Sequence, residues 1–185
     1  DLYDVYYRVH AQTYGWMGWV KNGEPAGTAG QAKRLEAIQI IIVQKWESPV
    51  YMYNASGESL KGSESCGFVG TAKTNTSDAN GVVTYKTHVQ RYGDQSWVSD
   101  GSIAGTSGEA KRLEAIRIRL TGELANHYDI YYRVHAQTFG WMGWAKNGES
   151  AGTAGYGKRL EAIQIMLVKK GAAAPGAIVK GITQT

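Results

Sequence analysis

Trp19, Trp97 and Trp144 recur at one position of an internally repetitive chain. An indole flanked by hydrogen-bonding side chains suits a sugar ring. The ring C–H groups stack on the apolar plate, and polar edges take the hydroxyls. The flanking residues here are Asn22, Asp100 and Asn147, followed by Glu24 and Glu149. These eight residues are the candidate ligand-binding set. The competing reading makes the indoles core plugs that wedge sheets together, since Trp usually buries most of its surface. Trp16 and Trp141 precede two of the plates by three positions, and residues three apart on a strand face opposite sides. Trp16 and Trp141 run in phase with Val20, Val98 and Ala145 and are expected on the core side. Trp19, Trp97 and Trp144 run in phase with Lys21, Ser99 and Lys146 and are expected on the wetter side.

His10, His88 and His135 also share one position. Three histidines near a threefold axis could hold Zn²⁺. These alternate with apolar positions instead, so half-buried, hydrogen-bonded histidines are expected and no metal site is assigned. Arg34 and Glu36, Arg112 and Glu114, and Arg159 and Glu161 lie two apart on what reads as one strand face, continuing into Ile38, Ile116 and Ile163. The expectation is a structural ion pair gripping the nearby glycine loop. That loop and its Lys-Arg (GTAGQAKR) lack phosphate-loop spacing and lead into a strand. No Ser-His-Asp set or HExxH stands out, and Cys66 lies outside the repeated segments. Triplicated residues fit binding sites or cores better than catalysis. The expectation is no enzyme, no catalytic residue and no cofactor.

The elements that position these residues form a repeat. Tyr6 to Val43 aligns with Tyr131 to Val168 without a gap at an offset of 125, with 31 of 38 positions identical. A third copy, Tyr85 to Leu120, aligns at offsets of 78 and 47 from its neighbours. The expected organisation is repeat 1 at 1–43, a linker or long decorated loop at 44–81, repeat 2 at 82–122, repeat 3 at 123–170 and a C-terminal linker at 171–185. The segment 44–81 is also readable as a decayed fourth repeat, although it lacks the Lys-Arg-Leu-Glu-Ala-Ile string. Its small, polar centre suggests the first site of proteolysis. The start at Asp1 beside a repeat boundary suggests a larger array.

Within a copy, Val83, Tyr85, Thr87 and Val89 alternate with polar residues, the period of a half-buried strand. Ile116, Ile118 and Leu120 alternate with Arg117 and Arg119 in the same way. A shorter strand at 16–21 ends on Asn22-Gly23, a turn signal, and the AGTAG and AGTSG stretches read as loops. One copy alone buries too little to fold. The expected fold is all-β with three internal repeats in pseudo-threefold symmetry, β-prism-like, with a β-trefoil as the alternative.

The combination of His, Gly-Trp, Trp, Ala-Gly-Thr-x-Gly and Arg-Leu-Glu-Ala-Ile resembles the ChW repeat, the clostridial hydrophobic repeat with a characteristic tryptophan. The resemblance covers about 115 of the 185 residues in three copies. It implies a secreted or cell-surface protein of a Gram-positive, mostly anaerobic bacterium, with repeats that bind surface glycans or proteins. Repeat 2 departs from the pattern, with Gly93-Asp94 where the others have Gly15-Trp16 and Gly140-Trp141.

Composition sets the outer limits. The chain is 43% hydrophobic and 19% charged, a globular balance. A net charge of +4 over 185 residues gives no reason to expect a nucleic-acid partner. No apolar run reaches membrane-spanning length. One cysteine excludes an internal disulfide framework. The expected function is an extracellular, non-catalytic module with multivalent glycan recognition. The alternative is a protein-interaction or spacer module, with homo-oligomers formed through repeat pairing as one outcome.

Overall fold

The alternating strands appear where their patterns place them. The computed structural model describes residues 2–45, 82–179 and 181–183, with the backbone pairing of 52–53 and 59–60. Repeat 1 comprises β1 (Tyr3–Ala11), β2 (Gly15–Trp16), β3 (Val20–Lys21), β4 (Ala26–Gly27) and β5 (Leu35–Gln44). A small hairpin follows, β6 (Met52–Tyr53) with β7 (Ser59–Leu60). Repeat 2 comprises β8 (Val83–Val89), β9 (Gly93–Asp94), β10 (Val98–Ser99), β11 (Ala104–Gly105) and β12 (Leu113–Leu120). One helical turn, α1 (Leu124–His127), leads to repeat 3: β13 (Tyr128–Ala136), β14 (Gly140–Trp141), β15 (Ala145–Lys146), β16 (Ala151–Ala154) and β17 (Leu160–Lys169). The last strand is β18 (Ile182–Thr183). The rest of 44–81, including the expected proteolytic site, lies outside the described residues.

The protein is all-β with three similar antiparallel sheets, one per repeat. Each is built on a long hairpin of its first and last strands, β1 with β5, β8 with β12 and β13 with β17. Strand β8 buries every second residue, as its sequence requires. The inward faces of all three hairpins meet in one core that includes Tyr7, Ile40, Tyr85, Ile118, Tyr132 and Ile165. Each fully buried aliphatic side chain contributes about 1.5–3 kcal/mol relative to exposure.

Two features depart from the local reading. The expected strand at 16–21 is two separate two-residue strands, because 17–19 leaves the ladder. Ala26–Gly27, Ala104–Gly105 and Ala151–Ala154, expected to be loops, are short strands that join the sheet of a different repeat. Strand β11 of repeat 2 pairs with β5 of repeat 1, β16 of repeat 3 pairs with β12 of repeat 2, and β4 of repeat 1 pairs with β17 of repeat 3. The donation is cyclic, so every repeat gives one strand and receives one. A second ring of hydrogen bonds follows the same order. Gly23 N–H donates to Ile165 O at 2.8 Å, Gly101 to Ile40 at 2.8 Å and Gly148 to Ile118 at 2.6 Å.

The buried tyrosines bind the same junctions. Tyr7, Tyr85 and Tyr132 donate to the carbonyls of Glu24, Ser102 and Glu149, and Tyr85 accepts from Ile40 N–H at 3.1 Å. Burial raises the phenol pKa of all three, against the lowering effect of backbone hydrogen bonds. An unfolded tyrosine ionises near pH ~10. Above that pH the unfolded chain releases protons that the folded chain retains, so stability present below it is lost as pH rises. Alkaline titration should therefore give phenolate absorbance from these three residues only together with loss of β-sheet circular dichroism.

Candidate functional site

The outer faces of the first and third hairpins each carry a cation framed by two indoles. Arg8 and Arg133 lie on the outer faces of β1 and β13. The Arg8 guanidinium carbon lies 4.9 Å from the Trp16 ring centre and 4.9 Å from that of Trp19. Arg133 repeats this at 5.1 Å from Trp141 and 4.9 Å from Trp144. Each Nε donates across the hairpin to a glutamine, Arg8 to Gln39 at 2.8 Å and Arg133 to Gln164 at 2.7 Å. Those glutamines donate in turn to Gly101 O and Gly23 O on the adjacent repeats, at 2.6 and 2.7 Å.

Trp16 and Trp19 therefore share one cation, as do Trp141 and Trp144. The expected divergence of each pair onto opposite sides does not occur. Residues 17–19 are not extended strand, so two-residue periodicity is not maintained between the two indoles.

The three plates are not equivalent. Trp97 is 36% exposed and is approached by Arg119 at 4.2 Å and Lys86 at 5.6 Å. Trp19 is half-buried. Trp144, expected on the wetter side, is 5% exposed. Residues 177–179 of the tail, a segment expected to be a linker, enclose it. Trp144 N–H donates to Ala177 O and Val179 N–H to Trp144 O, each at 2.9 Å, and Gly181 N–H donates to Ser150 O at 2.7 Å. Strand β18 then runs parallel to β16. Gly143 makes room, since a Cβ there would overlap Val179. Trp144→Ala should consequently behave as a core deletion, with a loss of about 3–5 kcal/mol in urea unfolding.

The polar edges expected to take hydroxyls serve the turns. Asn22 and Asn147 adopt left-handed backbone and accept from Val5 and Ile130 N–H at 3.0 Å, while donating to Asp4 and Asp129. Asp100 accepts from Val83 N–H at 3.1 Å; burial raises its pKa and this hydrogen bond partly offsets the rise. Glu24 and Glu149 accept from Lys21 and Lys146 N–H within the same turns.

The Arg-Glu pairs grip the glycine loop, as expected, but the loop belongs to another repeat. Glu161 (3% exposed) binds Arg159 Nη2 at 2.9 Å and accepts from Gly30 N–H at 3.0 Å. Glu36 and Glu114 hold Gly108 and Gly155 in the same manner. The expected shared face with Ile38, Ile116 and Ile163 is broken by a β-bulge. Ala11 pairs with Leu35 and His10 with Ala37, so Glu36 is the extra residue and the alternation restarts after it. His10, His88 and His135 sit 3.2–3.4 Å from these carboxylates, but their Nδ1 atoms make no aligned hydrogen bond. Among the described residues, no group of three His, Cys, Asp or Glu could hold a metal ion.

Repeat 2 alters this outer face in a concerted way that goes beyond its Gly93-Asp94 departure. Asp94 replaces the first tryptophan, Lys86 replaces the arginine, and the two form an ion pair at 2.5 Å. Arg117 replaces the glutamine opposite. The signal was available, because the three positions differ together between copies.

Three all-β repeats joined by cyclic strand donation, two of them carrying a cation framed by indoles, make up a repeat module. The family model "Clostridial hydrophobic W" (ChW) matches residues 10–44, 88–122 and 135–169, more than half of the chain. The chain belongs to the ChW repeat family. Neither the curated proteins nor the solved structures searched contain a match.

Proposed function

We propose that the chain is a binding module of a secreted or cell-surface protein and recognises surface glycan through its tryptophan-bearing outer faces. Cyclic strand donation supports a closed, prism-like threefold body that fixes these faces at set spacings. The observation that carries the reading is Trp97, an exposed indole with Arg119 and Lys86 against it. Among the described residues, no helix is long and apolar enough to cross a membrane. Several weak sites on one body would raise effective affinity by roughly 10² to 10⁴.

A glycan array with the full chain tests this. Trp97→Ala should lose at least tenfold in binding to any glycan found while the chain stays folded, with a stability loss of about 0.5–3 kcal/mol, the ordinary range for a point substitution. Unchanged binding would remove Trp97 from the site.

A second reading is recognition of an extended peptide. It is favoured by the tail, which seats as a strand on Trp144 and β16 through backbone hydrogen bonds. A chain that binds no glycan but retains a surface protein would favour it.

A further inference from the structure

The outer face of repeat 2 carries charges that the fold leaves uncompensated. Lys86 and Arg117 are direct cross-strand partners on β8 and β12. Like charges at opposed positions destabilise a sheet. The corresponding pairs in repeats 1 and 3 are Arg8 with Gln39 and Arg133 with Gln164, each a hydrogen-bonded match. In repeat 2, Lys86 is neutralised by Asp94. The half-buried Arg117 guanidinium makes no hydrogen bond or ion pair among the described residues; its electrostatic neighbour is the Tyr132 phenol.

The same replacements open space. Trp16 and Trp141 stand edge-on to His10 and His135, with ring centres 5.6 Å apart. Asp94 holds that place beside His88 and is much smaller. An open cavity of about 330 Å³ lies there, lined by Lys86, His88, Asp94 and Arg117 and bordered by Ala154 and Gly155 of repeat 3. Two cations and one carboxylate leave one net positive charge. That balance fits a ligand with a single negative charge, whereas phosphate would set a second charge against Asp94. A guanidinium matches a carboxylate in two parallel hydrogen bonds.

We propose that this cavity binds a carboxylated sugar ring, with Arg117 holding the carboxylate and Lys86, Asp94 and His88 meeting the ring hydroxyls. The choice of a sugar rests on the glycan reading above. The carboxylate assignment rests on the cavity and its charge alone.

The test is titration of the full chain with glucuronate, glucose, N-acetyl-aspartate amide and inorganic phosphate, followed by NMR. Glucuronate should bind saturably, at least tenfold tighter than the other three, and more weakly as salt rises. Arg117→Gln restores the residue of repeats 1 and 3 and should weaken glucuronate at least tenfold without unfolding the chain. Lys86→Arg with Asp94→Trp rebuilds the sister face and should abolish binding; Arg117→Gln serves as the test if that pair fails to fold. Equal binding of glucuronate and glucose, or glucuronate binding unchanged in Arg117→Gln, would overturn the carboxylate site. Tighter binding of N-acetyl-aspartate amide would overturn the sugar assignment. Trp97→Ala tests the wider glycan reading separately, so the two failures are distinguishable.

Discussion

Gly105→Ala should destabilise the protein by about 3–5 kcal/mol, toward the upper end for point substitutions. Gly105 sits at φ +110°, a conformation that an L side chain adopts only under strain. A Cβ there would also overlap the Glu36 carbonyl and crowd Ala37 Cα, both on the backbone of the neighbouring repeat. Neither can be relieved by a rotamer change. The consequence is separation of β11 from β5, the link between repeats 2 and 1. Urea unfolding should show the loss as an earlier midpoint. Gly18→Ala is the control, because Gly18 has negative φ and its Cβ would point into open space. A cost below about 1 kcal/mol at Gly105 would mean that this strand is not firmly seated.

Glu161→Ala should cost about 3–5 kcal/mol, the range for breaking a buried charge pair from one side. The carboxylate is almost fully buried, and its removal strands several donors. Arg159 loses both its Nε and Nη2 contacts at 2.9 Å, and Gly30 N–H loses its acceptor. Because Gly30 belongs to repeat 1, the effect should cross the repeat boundary. Hydrogen exchange should accelerate at Gly30 more than at Gly108 or Gly155, whose acceptors Glu36 and Glu114 remain. Protection unchanged at Gly30 would reduce the contact to a local ion pair within repeat 3.

The period-2 alternation of β8 and β12 was legible because a strand presents successive side chains to opposite faces whatever surrounds it. The same logic places Trp144 on the wet side, yet it is buried, because the tail that covers it lies more than thirty residues away in sequence. The turn hydrogen bonds of Asn22 and Asp100 are not legible locally, because a turn-capping amide or carboxylate and a hydroxyl-binding one have the same composition. The spacing of Arg159 and Glu161 points to a clamp on a glycine loop, yet local spacing does not show that the loop comes from repeat 1.

By itself the sequence determined the three copies, their strand periods, the Asn-Gly turns and the membership that follows from the repeated string. These depend on neighbours within a few residues, where steric preference and alternation act directly. Only the tertiary structure decided that the Ala-Gly stretches are strands in a neighbouring repeat's sheet, that Arg8 joins two indoles, and that Asp94 and Arg117 frame a cavity. Each is a contact between residues that local periodicity does not bring together, and its energy comes from hydrogen bonds and burial that exist only in the folded chain.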